Sequence, residues 1–432
     1  MNRRFDPIAS LKGHYVPPPD KSISHRAALF GAMCDEPVAI RNYLDSHDTN
    51  ATLDTIQALG AAVDDQNRAE IVVRGVGLNT PAEVTGGTIN VQNSGTLMRL
   101  LPGWLAGQPG GEWTLDGDQS IRRRPVDRIA APLRLMGADI EARDGRLPPM
   151  RVRGAELQGI DYELPVASAQ VKSCVLIAGL LAIGRTTVTE PELSRDHTER
   201  ILARARVPFE RDDLKLTVSH VDELELDRVD VPGDPSSAAF IAAAACLVPD
   251  ARVVIGGMGL NWTRTGFFRI ARRMGAVIVG ELEDEFPAGA AEEPAGELDI
   301  AQAPLLGTTV EPDEVPLAID ELPLVALLGC FAEGETVVRG AAELRLKESD
   351  RIAGVVDGLR GLGADIEATP DGFVVQGGSG IEGGSIDALG DHRLAMLGAV
   401  AGLASRSGVE VVGMEAAAVS YPGFEADVRS LV

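Results

Sequence analysis

A short polar cluster followed by an apolar, helix-like run recurs six times along the chain, roughly every 70 residues. Each cluster carries Asp, Asn or Ser where a helix N-cap belongs, because these side chains accept hydrogen bonds from the first unpaired amides of a helix. Helix N-termini carry partial positive charge, so a fold that gathered them in one place would attract anions. The six openings are Asp20-Lys21-Ser22, Asn93-Ser94-Gly95-Thr96, Ser168-Ala169-Gln170, Asp234-Pro235-Ser236-Ser237, Asp320-Glu321-Leu322-Pro323 and Asp391-His392-Arg393.

A second repeat marks where amphipathic stretches end and alternating, strand-like stretches begin. Its copies are Leu59-Gly60-Ala61, Met136-Gly137-Ala138, Met274-Gly275-Ala276 and Leu362-Gly363-Ala364. The glycine predicts a helix C-cap. Arg206-Val207-Pro208 takes the fifth place without glycine, and we find no sixth copy near the C-terminus. A βα-rich block repeated at this long period favours closed domains over a solenoid, and 432 residues favour two of them.

The composition of the chain limits the kinds of molecule that it can bind and the compartment in which it works. The net charge of −24 argues against nucleic acid and anionic membranes. The longest apolar runs, such as the one from Cys174 to Ile183, are too short to span a bilayer, and the first residues do not resemble a secretory signal. The cysteines lie in apolar helical runs without metal-ligand spacing, which predicts buried, reduced thiols in a cytoplasmic protein.

The first opening carries a cationic motif. If Ser22 begins a helix, Arg26 lies one turn later on the same face. Lys21, the Ser22 hydroxyl, the free amides and Arg26 could then bind one phosphate or carboxylate. The alternative is a capped helix whose Lys and Arg face water. We expect His25 to be structural.

Two further segments could approach an anion. Gly95 removes a side chain where a ligand could meet the backbone, although an ordinary turn glycine explains it as well. Arg122-Arg123-Arg124 precedes a predicted helix from Val126, and we expect at least two of these arginines to be solvated.

The C-terminal half supplies carboxylates beside further cations. Asp320 is predicted to open a helix, whose dipole would favour the ionised carboxylate. On a helix start, Lys347 and Arg351 would share one face with Glu348 beside it. Each charged run alone is more often a solvated surface, but recurrence at equivalent points of the repeat favours a binding role.

Together these motifs resemble the 5-enolpyruvylshikimate-3-phosphate synthase family. The resemblance rests on the first, second, third and sixth openings and on Arg124-Pro125, Pro232-Gly233-Asp234-Pro235 and Leu346-Lys347-Glu348-Ser349-Asp350-Arg351, which follow the family's order from residue 17 to residue 425. It implies an α/β fold of two similar domains, each of three βαβαββ units (an inside-out α/β barrel), joined by two chain crossings. The expected domains are residues 1–16 plus 233–432, and 17–232.

The resemblance also implies the reaction. The enolpyruvyl group of phosphoenolpyruvate is transferred to the 5-hydroxyl of shikimate 3-phosphate by addition and elimination, with release of phosphate. That step belongs to the shikimate pathway of aromatic amino-acid biosynthesis. It needs a base, an acid and several cations, and Lys and Arg can supply the charge without a metal or cofactor. We expect a cytoplasmic monomer with no nucleic-acid or membrane partner, whose domains close over their ligands.

Residue roles are implied position by position. The catalytic candidates are Asp320 as base for the 5-hydroxyl, Glu348 as proton carrier at C3 and Lys21 as stabiliser of the developing charge. The shikimate 3-phosphate contacts are Lys21, Ser22, Arg26, Ser168, Ala169 through its backbone, Gln170, Arg195, Asp320 and Lys347. The phosphoenolpyruvate contacts are Lys21, Gly95, Arg124, Gln170, Arg351 and Arg393. Glu348 could instead only orient Lys21 or Arg351 through an ion pair.

Several positions depart from the family's commonest pattern. Ala169 replaces a second serine, Ser194-Arg195-Asp196-His197 replaces a segment with a tyrosine, and Glu343 stands where asparagine is common. Ala418-Val419-Ser420-Tyr421-Pro422 lacks a lysine that many relatives use on phosphoenolpyruvate. Gly95 keeps the space that glyphosate needs, so we expect sensitivity to that inhibitor.

Three alternative functions fit the sequence less well. A UDP-N-acetylglucosamine enolpyruvyl transferase would carry Lys-Asn at the first motif and a reactive cysteine before Arg-Pro, and neither is present. A cyclase acting on RNA ends conflicts with the acidic charge. A non-catalytic anion-binding protein would need the cations but not Asp320 and Glu348.

Overall fold

The computed structural model describes residues 1–67, 69–79, 87–284 and 290–432. The chain divides into two compact units. The first unit comprises Met1–Pro18, Pro232–Glu285 and Pro294–Val432, and the second comprises Pro19–Val231 and Phe286–Glu293. The sequence analysis did not separate the short segment Phe286–Glu293 from its neighbours.

Helices and strands alternate along both units. The helices are α1 Lys21–Ala32, α2 His47–Ala58, α3 Gly95–Ala106, α4 Asp127–Leu135, α5 Ala169–Leu180, α6 His197–Arg204, α7 Pro235–Leu247, α8 Gly266–Arg273, α9 Val315–Ala318, α10 Leu322–Phe331, α11 Arg351–Gly361, α12 His392–Ala404 and α13 Phe424–Leu431.

The strands are short, with two residues in the shortest and eight in the longest of those described. They are β1 Asn2–Phe5, β2 Lys12–Tyr15, β3 Val38–Arg41, β4 Ala62–Asp64, β5 Glu70–Arg74, β6 Thr88–Asn90, β7 Glu112–Asp116, β8 Asp139–Arg143, β9 Leu147–Arg153, β10 Asp161–Glu163, β11 Arg185–Thr189, β12 Phe209–Asp212, β13 Lys215–Ser219, β14 Arg228–Asp230, β15 Arg252–Gly259, β16 Val277–Val279, β17 Ala295–Ala301, β18 Thr309–Val310, β19 Glu335–Val338, β20 Asp365–Thr369, β21 Gly372–Gln376, β22 Gly384–Asp387 and β23 Val409–Val412.

Among the described residues, the second unit contains three sheets of one topology, with orders β14-β3-β5-β4, β6-β7-β9-β8 and β10-β11-β13-β12. In each, the first two strands are parallel and the remaining pairs are antiparallel. Parallel neighbours need a crossover connection, which α3 supplies between β6 and β7 and α5 between β10 and β11. The sheets β6-β7-β9-β8 and β10-β11-β13-β12 are therefore each one βαβαββ unit, whereas in β14-β3-β5-β4 the first strand is the last of the four in the chain.

The first unit repeats this plan in two sheets, β2-β15-β17-β16 and β18-β19-β21-β20. Its third sheet is β22-β23-β1, in which the N-terminal strand pairs antiparallel with β23 at the position of the usual third strand. No fourth strand joins this sheet in the described part of the chain. The missing hairpin explains why the sequence showed no sixth glycine repeat near the C-terminus.

Two strands pair away from the helix that follows them in sequence. Strand β2 precedes α1 but pairs with β15 in the first unit, and β14 precedes α7 but pairs with β3 in the second unit. The chain passes between units directly after each of these strands, and in the first unit the amide of Asp234 donates to the carbonyl of Pro18 at 2.7 Å. The predicted fold class is confirmed.

Each unit has its own hydrophobic core. Helices α7, α10 and α12 pack on one another in the first unit, while α5 packs on α3 and α3 on α1 in the second. Every residue of α7 is buried, which explains its Ala-rich sequence, since small side chains allow neighbouring helices to approach closely. These six helices are the runs that follow the six polar openings.

Five of the six predicted N-caps form. The side chains of Asp20, Ser94, Ser168, Asp234 and Asp391 each accept a hydrogen bond from an amide in the first turn of α1, α3, α5, α7 and α12. The prediction that Asp320 opens a helix is wrong. Helix α10 begins at Leu322 with Glu321 at the N-cap position and Pro323 in its first turn, where the fixed φ of proline favours a helix start.

The glycine repeat also behaves as predicted. Gly60, Gly137, Gly275 and Gly363 each adopt positive φ directly after a helix, which is the left-handed conformation that glycine adopts without strain. At the fifth place Arg206 takes the same conformation, with φ of 56°.

Candidate active site

The predicted site residues fall into two sets, one in each unit. In the second unit, Asp20 caps α1 by accepting a hydrogen bond from the amide of Ile23 at 2.9 Å. Lys21 is the first residue of α1, and its Nζ lies 3.0 Å from Oδ2 of Asp48, a buried residue in the first turn of α2. The ion pair holds the half-buried ammonium of Lys21 at the start of the helix.

Arg26 is buried between three helices. Its guanidinium donates to Oγ1 of Thr198 on α6 at 2.8 Å and to Oγ of Ser173 on α5 at 3.0 Å. It also donates to the carbonyl of Ser22 one turn earlier, at 3.1 Å, in agreement with the predicted helical spacing. Burial lowers the pKa of Arg26 to about 10, which leaves the guanidinium charged at neutral pH.

His25 has the structural role that the sequence suggested. It is buried, and its Nδ1 lies 2.7 Å from Oγ1 of Thr52 on α2. Burial lowers the pKa of His25 to about 3, so the ring is neutral at physiological pH. A neutral, buried imidazole holds α1 and α2 together and offers no charge to an anion.

Gly95 and Arg124 lie against each other. A Cβ on Gly95 would come within 2.9 Å of Nη1 of Arg124 and within 2.9 Å of Nη1 of Arg99. Arg124 is buried and donates to Oγ of Ser120 at 2.9 Å and to Oδ1 of Asn93 at 3.2 Å. Arg122 and Arg123 are exposed, so the expectation that at least two of the three arginines are solvated is confirmed.

The start of α5 presents the third set of groups in this unit. The Ser168 hydroxyl caps the helix by accepting from the amide of Val171 at 3.4 Å. Ala169 is the first helical residue, and Nε2 of Gln170 donates to Oγ1 of Thr96 on α3 at 3.2 Å. The helix starts of α3 and α5 are thereby joined by a side-chain hydrogen bond.

Arg195 is half-buried in the segment before α6. It lies close enough to Arg26 for its charge to lower the pKa of Arg26, after the larger effect of burial. An anionic group bound beside Arg26 and Arg195 would offset their mutual repulsion, as the charges of Glu199 and Asp20 already do in part for Arg26.

In the first unit, the predicted residues converge on Arg351. Its guanidinium is 1% exposed and contacts three carboxylates: Nε lies 2.8 Å from Asp391, Nη1 lies 3.0 Å from Asp320 and Nη2 lies 2.5 Å from Glu348. Burial alone would lower the pKa of Arg351, but Asp391, Glu348 and Asp320 together raise it above its ordinary value. Each edge of the planar guanidinium is therefore paired with a carboxylate.

Asp320 is contacted by cations on several sides. Its Oδ1 lies 3.0 Å from Nη1 of Arg351 and 3.5 Å from Nζ of Lys347, and its Oδ2 lies 3.7 Å from Nη2 of Arg393. These contacts, rather than a helix dipole, favour the ionised carboxylate. Arg393 also donates to the carbonyl of Asp320 at 3.1 Å.

Lys347 and Glu348 lie in a different local structure from the one predicted. Helix α11 begins only at Arg351, with Asp350 as its N-cap, so Lys347 and Glu348 precede the helix instead of sharing its face. They follow a 3₁₀ turn, Ala342–Leu346, which brings them to Asp320 and Arg351. The predicted proximity is confirmed, but the helical explanation for it was wrong.

The opening at Asp234 contributes no residue to either set of predicted site residues. Its carboxylate is paired with the buried Arg264, Nη2 lying 2.8 Å from Oδ1, and it caps α7. An internal ion pair thus occupies the helix start that follows the chain crossing.

Three structural findings bear on the predicted class of site. Cys34, Cys174, Cys246 and Cys330 are buried and free, and burial raises the pKa of each thiol. In the described ranges, no group of three or more His, Cys, Asp and Glu side chains could hold a metal ion. Of the helices that the structure describes, none has the length and apolar character needed to cross a membrane.

Comparison with known proteins gives the family. A sequence model described as EPSP synthase (3-phosphoshikimate 1-carboxyvinyltransferase) matches residues 5–428. The 3-phosphoshikimate 1-carboxyvinyltransferase of Bacillus licheniformis is 43% identical over 426 residues, covering 98% of this chain and 98% of that protein. The chain belongs to the EPSP synthase family.

Other members of the EPSP synthase family agree over the full length. The 3-phosphoshikimate 1-carboxyvinyltransferase of Persephonella marina is 41% identical and covers 100% of both chains. The solved EPSP synthase of Acinetobacter baumannii has a TM-score of 0.85 and 39% identity, covering 100% of this chain and 98% of that one. The enolpyruvyl transferase NikO of Streptomyces tendae, at 18% identity and a TM-score of 0.79 over 99% of this chain and 96% of that one, shares the fold. The family predicted from the sequence motifs is confirmed.

The sequence analysis of this EPSP synthase family member missed some of the groups that hold its site residues. Asp48 pairs with Lys21, and the fully buried Asp391 pairs with Arg351. Asp391 stood in a motif already singled out, but only Arg393 was chosen from it. Asp48 follows Ser46 in a capping box, a signal of helix structure that gave no indication of its contact with Lys21.

Proposed function

We propose that this chain transfers the enolpyruvyl group of phosphoenolpyruvate to the 5-hydroxyl of shikimate 3-phosphate. In the first step the 5-oxygen attacks C2 of phosphoenolpyruvate, the 5-hydroxyl proton passes to a base, and C3 accepts a proton. In the second step C3 returns a proton and the bond between C2 and the phosphate oxygen breaks. The products are the enolpyruvyl ether and inorganic phosphate.

The observation that carries this proposal is the environment of Asp320. Oδ1 of Asp320 lies 3.0 Å from Nη1 of Arg351 and 3.5 Å from Nζ of Lys347, and Oδ2 lies 3.7 Å from Nη2 of Arg393. A carboxylate that ion pairs hold in a fixed position can accept a proton from a hydroxyl group placed within hydrogen-bond reach. We therefore assign Asp320 as the base for the 5-hydroxyl.

Glu348 and Lys21 are proposed to manage charge and protons at phosphoenolpyruvate. The ion pair of Glu348 with Arg351 orients its carboxyl group, and the pair of Lys21 with Asp48 orients the ammonium. Glu348 would carry the proton to and from C3, and Lys21 would stabilise charge that develops as the 5-oxygen attacks. An ion pair also fits a purely orienting role for Glu348, and the variants below separate the two.

The anionic groups of the substrates would be bound by the remaining residues. Shikimate 3-phosphate is assigned to Lys21, Ser22, Arg26, Ser168, Ala169, Gln170, Arg195, Asp320 and Lys347. Phosphoenolpyruvate is assigned to Lys21, Gly95, Arg124, Gln170, Arg351 and Arg393. The proximity of Arg195 to Arg26 and of Gly95 to Arg124 supports these assignments, because each pair places at least one guanidinium group beside another residue assigned to the same substrate.

A phosphate-release assay tests the reaction. The purified protein should release phosphate from phosphoenolpyruvate when shikimate 3-phosphate is the acceptor and should not do so with UDP-N-acetylglucosamine. Turnover with UDP-N-acetylglucosamine alone would contradict the proposal.

Two isosteric variants distinguish an enzyme from an anion-binding protein. Asp320→Asn and Glu348→Gln should each lower kcat by roughly 100-fold or more, as expected for loss of a general base or acid. Glu335→Gln, an exposed carboxylate change on β19 of the same unit, is the control and should leave kcat unchanged. If Glu348→Gln retained full kcat, its carboxyl would only orient Arg351.

We further propose that the protein works as a cytoplasmic monomer of two domains, residues 1–16 plus 233–432 and residues 17–232, and that glyphosate inhibits it. The acidic net charge of −24 supports the absence of nucleic-acid partners. Inhibition should be competitive with phosphoenolpyruvate, since Gly95 and Arg124 are both assigned to that substrate and a Cβ at Gly95 would come within 2.9 Å of Nη1 of Arg124. Non-competitive inhibition would refute this assignment.

A further inference from the structure

A buried ionic cluster lies directly behind the proposed shikimate 3-phosphate contacts of the second unit. Lys172 is on α5, two residues after Gln170, and its side chain is completely buried. Its Nζ lies 2.8 Å from Oε2 of Glu190 and 2.7 Å from Oε1 of Glu199. Burying an ammonium group is unfavourable without such partners, so the three side chains depend on one another.

The cluster anchors the backbone directly before Arg195. Glu190 follows strand β11, and its Oε1 accepts a hydrogen bond from the hydroxyl of Ser194. The Nζ of Lys172 lies 3.5 Å from the carbonyl oxygen of Ser194. The hydroxyl and the carbonyl of Ser194 therefore face the cluster, and Arg195 is the next residue.

The same cluster fixes the start of α6. Glu199 is in the first turn of α6, where its ion pair with Lys172 ties this helix to α5. The neighbouring Thr198 accepts from Arg26 at 2.8 Å and lies 2.7 Å from the hydroxyl of Ser173 on α5. Two adjacent sets of polar contacts, Lys172 with Glu199, and Ser173 and Arg26 with Thr198, thus join α5 to the start of α6, which follows Arg195 in sequence.

The charges of the cluster explain why removing one of its three side chains would change the position of Arg195. Burial raises the pKa of Glu199, and Lys172 opposes that shift. Without Lys172, the buried carboxylates of Glu190 and Glu199 would face each other with no cation between them. The segment from Ser194 to Glu199 would then have to move or take up a proton.

We propose that Lys172, with Glu190 and Glu199, is a positioning residue that holds Arg195 in place for the phosphate of shikimate 3-phosphate. The inference rests on the proposed function, because the ligand of Arg195 is assigned there. Lys172 itself is fully buried and does not contact substrate. Its effect passes through Ser194 and the start of α6.

The test compares Michaelis constants for the two substrates. The variant Lys172→Met/Glu190→Gln removes one positive and one negative charge, and the remaining Glu199 can become neutral by protonation. We expect KM for shikimate 3-phosphate to rise about tenfold, as for other displaced supporting groups, while KM for phosphoenolpyruvate and kcat change less than about twofold. The milder Ser194→Ala should shift the same constant in the same direction.

A thermodynamic cycle with Arg195→Ala identifies the route of the effect. If Lys172 acts through Arg195, then Lys172→Met/Glu190→Gln should not raise KM further once Arg195 is absent. Additive effects would overturn the proposal. So would an unchanged KM for shikimate 3-phosphate.

A stability control separates positioning from general damage. Leu176→Ala removes a buried apolar side chain one turn further along α5 and should lower the melting temperature without changing KM for shikimate 3-phosphate. If it raised that KM as much as Lys172→Met/Glu190→Gln does, the positioning role would be excluded. Should the double variant fail to fold, Ser194→Ala and Lys172→Arg decide by the same criteria.

The outcomes for this inference and for the proposed function can be told apart. A wild-type protein that neither releases phosphate nor binds shikimate 3-phosphate in calorimetry overturns both. A wild-type protein that does both, with variants that keep the wild-type KM, overturns only the role of Lys172.

Discussion

At the scale of single residues, Arg351 shows why a guanidinium is needed at the centre of the first unit's site. Its three nitrogen edges contact Asp391, Asp320 and Glu348, and almost none of the group reaches solvent. An ammonium group has the same charge but cannot match three carboxylates at fixed angles. The side chain therefore sets the positions of both proposed catalytic carboxylates.

This geometry predicts a large effect for Arg351→Lys. The change leaves at least one buried carboxylate without a partner, which should lower the free energy of unfolding by about 3 kcal/mol. It should also lower kcat/KM for phosphoenolpyruvate by roughly 100-fold, because a misplaced catalytic group costs about that much. Urea denaturation and steady-state kinetics measure the two effects. Arg360→Lys, on the exposed side of the same helix, is the control and should change both only slightly.

His25 gives a prediction about acid stability. Burial lowers its pKa to about 3 in the folded protein; Asp48 and Asp20 oppose this shift, and Lys21 and Arg26 add to it by smaller amounts. Below the unfolded pKa of about 6.5, the unfolded chain therefore binds a proton that the folded protein excludes. Stability from this group is complete above that pH and is lost as the pH falls towards 3.

The variant His25→Gln should remove this dependence. Gln can still bond to Thr52 but does not titrate in this range. Between pH 7 and pH 4.5, the wild type should lose about 2.5 kcal/mol more unfolding free energy than His25→Gln, from roughly two pH units at 1.36 kcal/mol each. Urea denaturation at both pH values measures the difference. Equal losses in the two proteins would show that His25 does not titrate as its burial requires.

At the scale of elements, the fifth helix end is the exception to the glycine repeat. Arg206 adopts φ of 56° where Gly60, Gly137, Gly275 and Gly363 stand in the other repeats. Its ion pair with Glu225 joins two mostly exposed side chains and contributes little. The backbone strain at this residue is therefore not offset by a strong contact of the side chain.

Two opposite substitutions test this account of the helix ends. Arg206→Gly should raise the free energy of unfolding by about 0.5 to 1 kcal/mol, because glycine adopts the left-handed conformation without a steric penalty. Gly137→Ala should lower it by about 1 kcal/mol for the same reason. Chemical denaturation gives both values, and a destabilised Arg206→Gly would contradict the explanation.

The same elements show how far the sequence could predict the fold and the site. Helix starts were predicted where a cap is local: Asp20, Ser94, Ser168, Asp234 and Asp391 bond to amides within three residues. The start at Asp320 was misplaced because Pro323 favours a helix beginning at Leu322. Lys347 and Glu348 were placed on a helix, but charge spacing cannot distinguish a helix from the 3₁₀ turn that precedes them.

The sequence pattern could not predict contacts between segments that are distant along the chain. Asp48 meets Lys21, and Asp391 meets Arg351, across 27 and 40 residues of chain. Lys172 lay unnoticed inside an apolar run, where a lone lysine indicates nothing about its partners. These carboxylates and this lysine bear on function only through tertiary packing, which local periodicity does not encode.

At the scale of the whole molecule, each unit has a separate core and carries its own set of proposed contacts. The first unit holds Asp320, Lys347, Glu348, Arg351 and Arg393, and the second unit holds the rest. Neither set contains every group that the addition and elimination steps need. The proposed contacts with shikimate 3-phosphate therefore include residues of both units.

Hydrogen exchange on the intact protein tests that assignment. Saturating shikimate 3-phosphate should slow amide exchange at the starts of α1 and α5 in the second unit and around residues 345–351 in the first, because bound ligand stabilises the segments that contact it. Strands β1 and β23, which contain no assigned contact, serve as internal controls and should exchange as in the free protein. Protection confined to one unit would show that the other unit's residues, Asp320 and Lys347 or Ser22 and Arg195, do not bind this substrate.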